Sequence, residues 1–259
     1  MAQRNAARGL RQRVLKGEQV LGTMLFEFFT PGIAQIARTA GCEFIIYDME
    51  HAGLGLETFK AQAAHCRGIG IAPMIRVPRS DYHFIARALD IGAEGVMIPM
   101  VESAEQARAI AEATRYPPVG RRGAAFGFAH DHYEGGSPAE KIKFANARNL
   151  VIAQIETERG LAAVEEIAAV SGIDVLWVGH FDLTNFLGIP GQFDHPTYVE
   201  AVERVVKAAR AAGKGLGFMA SDANWARDYK KRGFNMLASG TDMALLAAGI
   251  RSILDPLRS

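Results

Sequence analysis

Several residue classes are scarce in this sequence, and each scarcity removes a class of protein. Only two cysteines, Cys42 and Cys66, occur among 259 residues. Both fall in helix-like segments without metal-ligand spacing, which excludes a disulfide framework or a zinc knuckle and suits buried free thiols in a reducing cytoplasm. No apolar run is long enough to span a bilayer, and the polar, basic start "RNAARGLRQRVLKG" carries no signal-peptide core. Charge of one sign is also missing: 29 Lys and Arg against 28 Asp and Glu leave a formal net charge of +1. The basic residues are scattered, so no stripe offers itself to nucleic acid, and a small anionic ligand is the better partner. No Pro/Gly/Ser-rich linker divides the chain, which reads as one domain over residues 1–259.

What is present is a core-building pattern. Hydrophobic residues make up 49% of the chain, and short apolar or β-branched runs alternate with segments of helical period. Strands are expected at 20–27, 43–50, 72–78, 95–101, 149–156, 175–180, 215–219 and 235–240. Helix signals fill the gaps. Thr30 can cap, Pro31 suits a first helical position and Gly41 a left-handed stop. Ser103 followed by Gln106 makes a capping box. Strands that are apolar on both faces, each followed by a helix, predict a parallel (β/α)8 TIM barrel, with an open doubly wound sheet as the alternative order. The long irregular stretch "GRRGAAFGFAHDHYEGGSPAE" is expected to be a functional loop.

In such a barrel, chemistry belongs at the C-terminal ends of the strands. The polar residues there are Glu27, then Asp48, Glu50 and His51 in "YDMEH", Arg76, Gln154 with Glu156, and His180 with Asp182. The direction of Glu50 is left open by alternation: turned away from the pocket, it would be an orienting or salt-bridging residue. Lysine is absent from these positions, which disfavours Schiff-base catalysis. Two carboxylates on neighbouring strands, Glu156 and Asp182, instead offer the oxygen donors that a hard divalent ion takes while keeping other positions open. Trp177 reads as core and Trp225 as helix packing. A phosphate-binding isomerase is a weaker reading, drawn from "GFMASD" and "LASGTD" after the last two strands.

The strings "DMEH", "IRVP", "ALDIGAEGVMIPMVES", "YPPVGRRG", "IAQIET" and "VGHFDLTNFLG", in this order, resemble the HpcH/HpaI family of metal-dependent pyruvate aldolases over nearly the whole chain. The resemblance implies a TIM barrel assembled as a homotrimer or homohexamer, its last helix packed on a neighbouring barrel. It implies cleavage of a 4-hydroxy-2-oxo acid or 2-keto-3-deoxy sugar acid to pyruvate and an aldehyde, with Mg²⁺, Mn²⁺ or Co²⁺. Glu156 and Asp182 would be the metal ligands, and Arg76 would bind the pyruvyl carboxylate. His51 would be the general base through a water on the ion, with Asp48 beside it. Asp90 would come from an adjacent subunit to orient His51, a role that rests on the resemblance alone. Gln154, Gly179 and His180 would contact substrate or the metal's surroundings.

This chain departs from the family pattern in two strings. It carries His180 where the family most often has Pro, and "HAGLG" follows His51 where "HAPN" is commoner. His180 is thereby a ligand, a hydrogen-bonding partner of substrate or a pocket filler. An acyl-CoA lyase of the citrate lyase type and a non-catalytic 2-keto-acid-binding barrel are the competing readings. The first wants a basic nucleotide groove that the sequence does not display, and the second would be favoured by loss of the carboxylates or of His51, all of which are present.

Overall fold

A computed structural model describes residues 9–258; Arg4 to Arg8 of the polar N-terminal segment lie outside them. Eight parallel strands close into a barrel in sequence order: β1 Val20–Leu25, β2 Phe44–Asp48, β3 Ala72–Arg76, β4 Gly95–Ile98, β5 Leu150–Ile155, β6 Val175–Val178, β7 Gly215–Ala220 and β8 Met236–Thr241. Closure comes from β1 pairing with both β2 and β8. All the expected strands form, and the barrel replaces the open-sheet alternative. Among the described residues, no helix is long and apolar enough to cross a membrane.

The strands are apolar on both faces because each face meets a different core. Residues such as Ile45, Tyr47, Ile75 and Val96 point outward and pack beneath the helices. Their neighbours Phe44, Ile46, Met74 and Trp177 point inward and fill the barrel. This is the burial on both sides that parallel strands require. Large inward residues need small ones opposite. A Cβ on Gly217 would lie 2.1 Å from the Trp177 ring, and one on Gly22 would lie 2.4 Å from the Phe44 carbonyl oxygen. The first helix, α1 (Leu10–Leu15), plugs the lower end through Leu10 and Val14. Asn235 ties it there by donating to the carbonyls of Val14 and Glu18, at 2.8 and 3.2 Å.

The connecting helices follow the expected punctuation with one difference. Helix α2 (Pro31–Thr39) starts with Pro31 in its first turn, but the Thr30 side chain makes no capping bond. The following helices are α3 (Leu56–Ile69), α4 (Tyr82–Asp90) and α5 (Ala104–Thr114). Ser103 caps α5 by accepting the Gln106 N–H at 3.1 Å. The long stretch after α5 holds a 3₁₀ turn, Ala129–Asp131, before α6 (Pro138–Arg148). After β5 come α7 (Glu158–Ala162) and α8 (Val164–Ala169). Then α9 (His180–Phe186) follows β6, with α10 (Pro196–Ala211) and α11 (Ala223–Arg232) beyond it. Last is α12 (Asp242–Leu254), which exposes Leu245, Leu246, Ile250 and Ile253.

The Gly217–Trp177 contact makes a direct prediction. Gly217→Ala forces a methyl into a filled interior, so unfolding free energy in urea should fall by about 1–3 kcal/mol. An unchanged midpoint would mean that the interior yields at Trp177.

Candidate active site

The inward row of each strand changes character at its upper end. Phe44 and Ile46 lead to Asp48, Ala72 and Met74 lead to Arg76, and Ile152 leads to Gln154. Asp48, Arg76, Gln154 and the next residue in phase, Glu156, are all buried. Charge in such a position is costly unless it is paired. Arg76 supplies the pairing: its Nε donates to Asp48 Oδ1 at 2.5 Å, and its Nη1 lies 3.0 Å from Glu50 Oε2. The guanidinium also sits 5.4 Å from the centroid of the Phe26 ring.

Asp48 shapes the turn that follows it. Its Oδ2 accepts the His51 N–H at 2.7 Å and its Oδ1 accepts the Glu50 N–H at 3.3 Å, a local capture of backbone typical of aspartate. The turn holds Glu50 against Arg76, which gives it the salt-bridging role the sequence left open. His51 is delivered to the mouth, its side chain 59% exposed and its Nε2 3.7 Å from Glu50 Oε2.

Across the cavity, Glu156 Oε1 accepts the Met100 N–H at 2.8 Å, and Oε2 accepts from Gln154 Nε2. Gly179 lets this carboxylate approach, since a Cβ there would lie 2.3 Å from Oε2 and 2.8 Å from Gln154 Nε2. Asp182 stands in the first turn of α9, which begins immediately after Gly179. Burial pushes the Glu156 carboxyl up to about 7; the Met100 N–H opposes the rise, and the charges of Glu50 and Asp182 add to it. Burial likewise raises Glu50, with Arg76 opposing and Asp48 and Asp182 adding to the rise.

The cavity between these groups has a volume of about 240 Å³ and is walled by Met24, Phe26, Trp177, His180 and Met219. Trp177, expected as core, therefore also lines the pocket. His180 packs its ring against Phe181, Phe193, Phe218 and Trp225, with centroids 4.7 to 5.4 Å away. Burial lowers its imidazole to about 4, which keeps it neutral.

Other sequence candidates fall elsewhere. Glu27 is exposed. Asp90 ends α4 on the face opposite the mouth and pairs with the buried Arg122 at 2.5 Å; within one chain it does not meet His51. Lys141 pairs with Asp131, and Lys214 donates to the carbonyls of Val170 and Ile173, so neither serves the pocket. Asp242, at the start of α12, accepts the N–H groups of Phe26, Glu27 and Phe28 at 3.0, 3.0 and 2.7 Å. Sequence reasoning passed over it in favour of phosphate, although it stands at a strand end like the others. Its carboxylate engages these loop N–H groups, which argues against the phosphate reading.

The donor set fits a hard divalent ion. The charge of Asp182 adds to the cost of ionising both Glu50 and Glu156, and Gln154 Oε1 is buried without a hydrogen-bond donor. Among the described residues, no group of three or more His, Cys, Asp and Glu side chains forms a closed cage. Glu156 and Asp182 could offer such an ion an open two-carboxylate site. A raised folded-state pKa means that the protonated carboxyl favours the fold. In EDTA-treated protein, the contribution of Glu156 to stability should be greatest below about 4.5 and fall as pH rises to about 7, by on the order of 3 kcal/mol. Urea titrations of wild type and Glu156→Gln across that window check this, and parallel curves would refute it.

A sequence profile described as HpcH/HpaI aldolase/citrate lyase matches residues 23–248. The chain is 34% identical to a hydroxypyruvate/pyruvate aldolase of Roseovarius nubinhibens over 96% of each chain. It is also 34% identical to a 2-keto-3-deoxy-L-rhamnonate aldolase of Klebsiella pneumoniae, over 91% of this chain and 87% of that one. The crystal structure of an HpcH/HpaI aldolase from Desulfitobacterium hafniense superposes with a TM-score of 0.89 at 34% identity, covering 95% of this chain and 96% of the other. With the barrel, the pocket and these relatives in agreement, the chain belongs to the HpcH/HpaI aldolase/citrate lyase family and is a carbon–carbon lyase.

Proposed function

We propose that the protein is a single-domain, metal-dependent aldolase that reversibly cleaves a 4-hydroxy-2-oxo acid, 2-keto-3-deoxy sugar acids among them, into pyruvate and an aldehyde. The observation that carries this reading is the buried Arg76, held between Asp48 and Glu50 and lining one small cavity together with Asp182. An anion-binding group and a cation-binding group side by side match the carboxylate and keto oxygen of a 2-oxo acid. The names of the relatives, pyruvate aldolase and 2-keto-3-deoxy-L-rhamnonate aldolase, support the same substrate class.

Glu156 and Asp182 would hold Mg²⁺, Mn²⁺ or Co²⁺, which when bound supplies Lewis-acid stabilisation of the negative charge that develops on the substrate during cleavage. Arg76 binds the substrate carboxylate. Its bond to Asp48 through Nε fixes the plane of the guanidinium, so orientation is settled before substrate arrives. His51, at the mouth, takes the proton from the C4 hydroxyl during cleavage and from the methyl group of pyruvate during synthesis. Asp48 positions both residues, one through its side chain and one through its backbone N–H. Gln154 holds Glu156, Gly179 leaves room for it, and the neutral His180 lines the wall against which substrate rests. Asp90 would reach His51 only from a second copy. The exposed apolar face of α12 supports burial against a neighbouring barrel in a homotrimer or homohexamer. The free thiols of Cys42 and Cys66 suit the cytoplasm.

Pyruvate release from a panel of 4-hydroxy-2-oxo acids, read by coupled lactate dehydrogenase, tests the reading. Activity should vanish in EDTA and return with added divalent ion. Glu156→Ala should abolish it, and His51→Ala should lower kcat by about 10²- to 10⁴-fold. Turnover that survives complete metal removal would sink the metal assignment.

A further inference from the structure

Met100, two residues beyond β4, has φ of 52° and so occupies the left-handed region. Among the described residues only two other non-glycine residues do so, His132 and Tyr133. A side chain in that region is disfavoured and persists where the surroundings enforce it. Here the enforcement is visible. The Met100 carbonyl accepts from Gln106 Nε2 at 3.3 Å, and Gln106 Oε1 accepts the Glu102 N–H at 2.8 Å, so one amide clasps both ends of the turn. Gln106 Nε2 also lies 3.3 Å from Ser80 Oγ, on the preceding βα loop.

The turn sends two successive N–H groups toward the end of β5, where an extended strand would send alternate ones to opposite sides. The Met100 N–H meets Glu156 Oε1 at 2.8 Å, and the Val101 N–H meets the Gln154 carbonyl at 3.3 Å. With Oε1 held by this N–H, the other oxygen, Oε2, accepts from Gln154 Nε2 and is turned toward Gly179 and the start of α9, which carries Asp182. The Met100 side chain is 39% exposed; the contact to Glu156 is made by the backbone.

We propose that the left-handed turn at Met100, clasped by Gln106, is the device that fixes the Glu156 carboxylate for divalent-ion binding, with both residues acting as positioning residues. The inference rests on the reading of Glu156 as a metal ligand. Outer partners of metal ligands act in this way by fixing the ligand before the ion arrives.

Isothermal titration of EDTA-stripped protein with Mn²⁺ tests it, with circular dichroism confirming the fold of each variant. Gln106→Ala and Met100→Ile, whose branched side chain resists the left-handed conformation, should each weaken Mn²⁺ binding by about tenfold or more. Met100→Gly, which adopts that conformation freely, should stay within about twofold of wild type. Near-wild-type affinity in Gln106→Ala and Met100→Ile, beside lost binding in Glu156→Ala, would overturn the inference and leave the metal site standing. So would a Met100→Gly loss as large as that of Met100→Ile, which would assign the effect to the side chain. Undiminished Mn²⁺ binding in Glu156→Ala would instead remove the metal reading itself and the inference with it.

Discussion

Asp48 and Arg76 meet at 2.5 Å at the ends of adjacent strands, paired directly across the sheet and both buried. Removing either would strand the other charge in the barrel interior, at a cost of about 3–5 kcal/mol for a buried pair of this type. Much of the pocket is organised around this contact. Asp48 spends its remaining acceptor capacity on the backbone of the turn after β2, which sets where Glu50 and His51 stand. Arg76 in turn collects Glu50 and lies beside the Phe26 ring. One ion pair therefore sets a buried guanidinium, a carboxylate beside it and a histidine at the mouth.

The opposite wall obeys a different constraint, the crowding of acidic groups without a matching number of bases. Arg76 already serves two carboxylates, and Glu156 and Asp182 add two more. Burial, with the nearby charges of Glu50 and Asp182 adding to it, holds Glu156 partly protonated near neutral pH. A divalent cation held there, as proposed, would resolve that conflict more completely than a proton, so stability of the site without an ion and readiness for one would pull in opposite directions.

The barrel was legible in the sequence because a parallel strand buried on two sides is apolar at every position, and such runs stop abruptly where the chain emerges. The stops gave Asp48, Arg76, Gln154 and Glu156. The direction of Glu50 is open in the sequence, because the two backbone N–H groups that Asp48 accepts after the strand ends, rather than strand geometry, decide where it points. Met100 and the loop holding Phe26 left no signature, because both act through backbone N–H groups, and methionine in a left-handed turn is not a residue type that turns announce. Asp90 stands on the opposite face, paired with Arg122 within one chain.

Asp242 gives the fold a temporal requirement. Its carboxylate, the first residue of α12, holds the N–H groups of the loop after β1, and its partners Phe26 and Phe28 stand 216 and 214 residues earlier. Contacts of such sequence separation form late, after the intervening chain has been ordered. On a ribosome the loop beside Arg76 would wait for the last strand and helix to emerge before taking its shape. A partial barrel exposes strands but no finished pocket, so competence for chemistry arrives with closure of the ring and is withheld from the nascent chain until then.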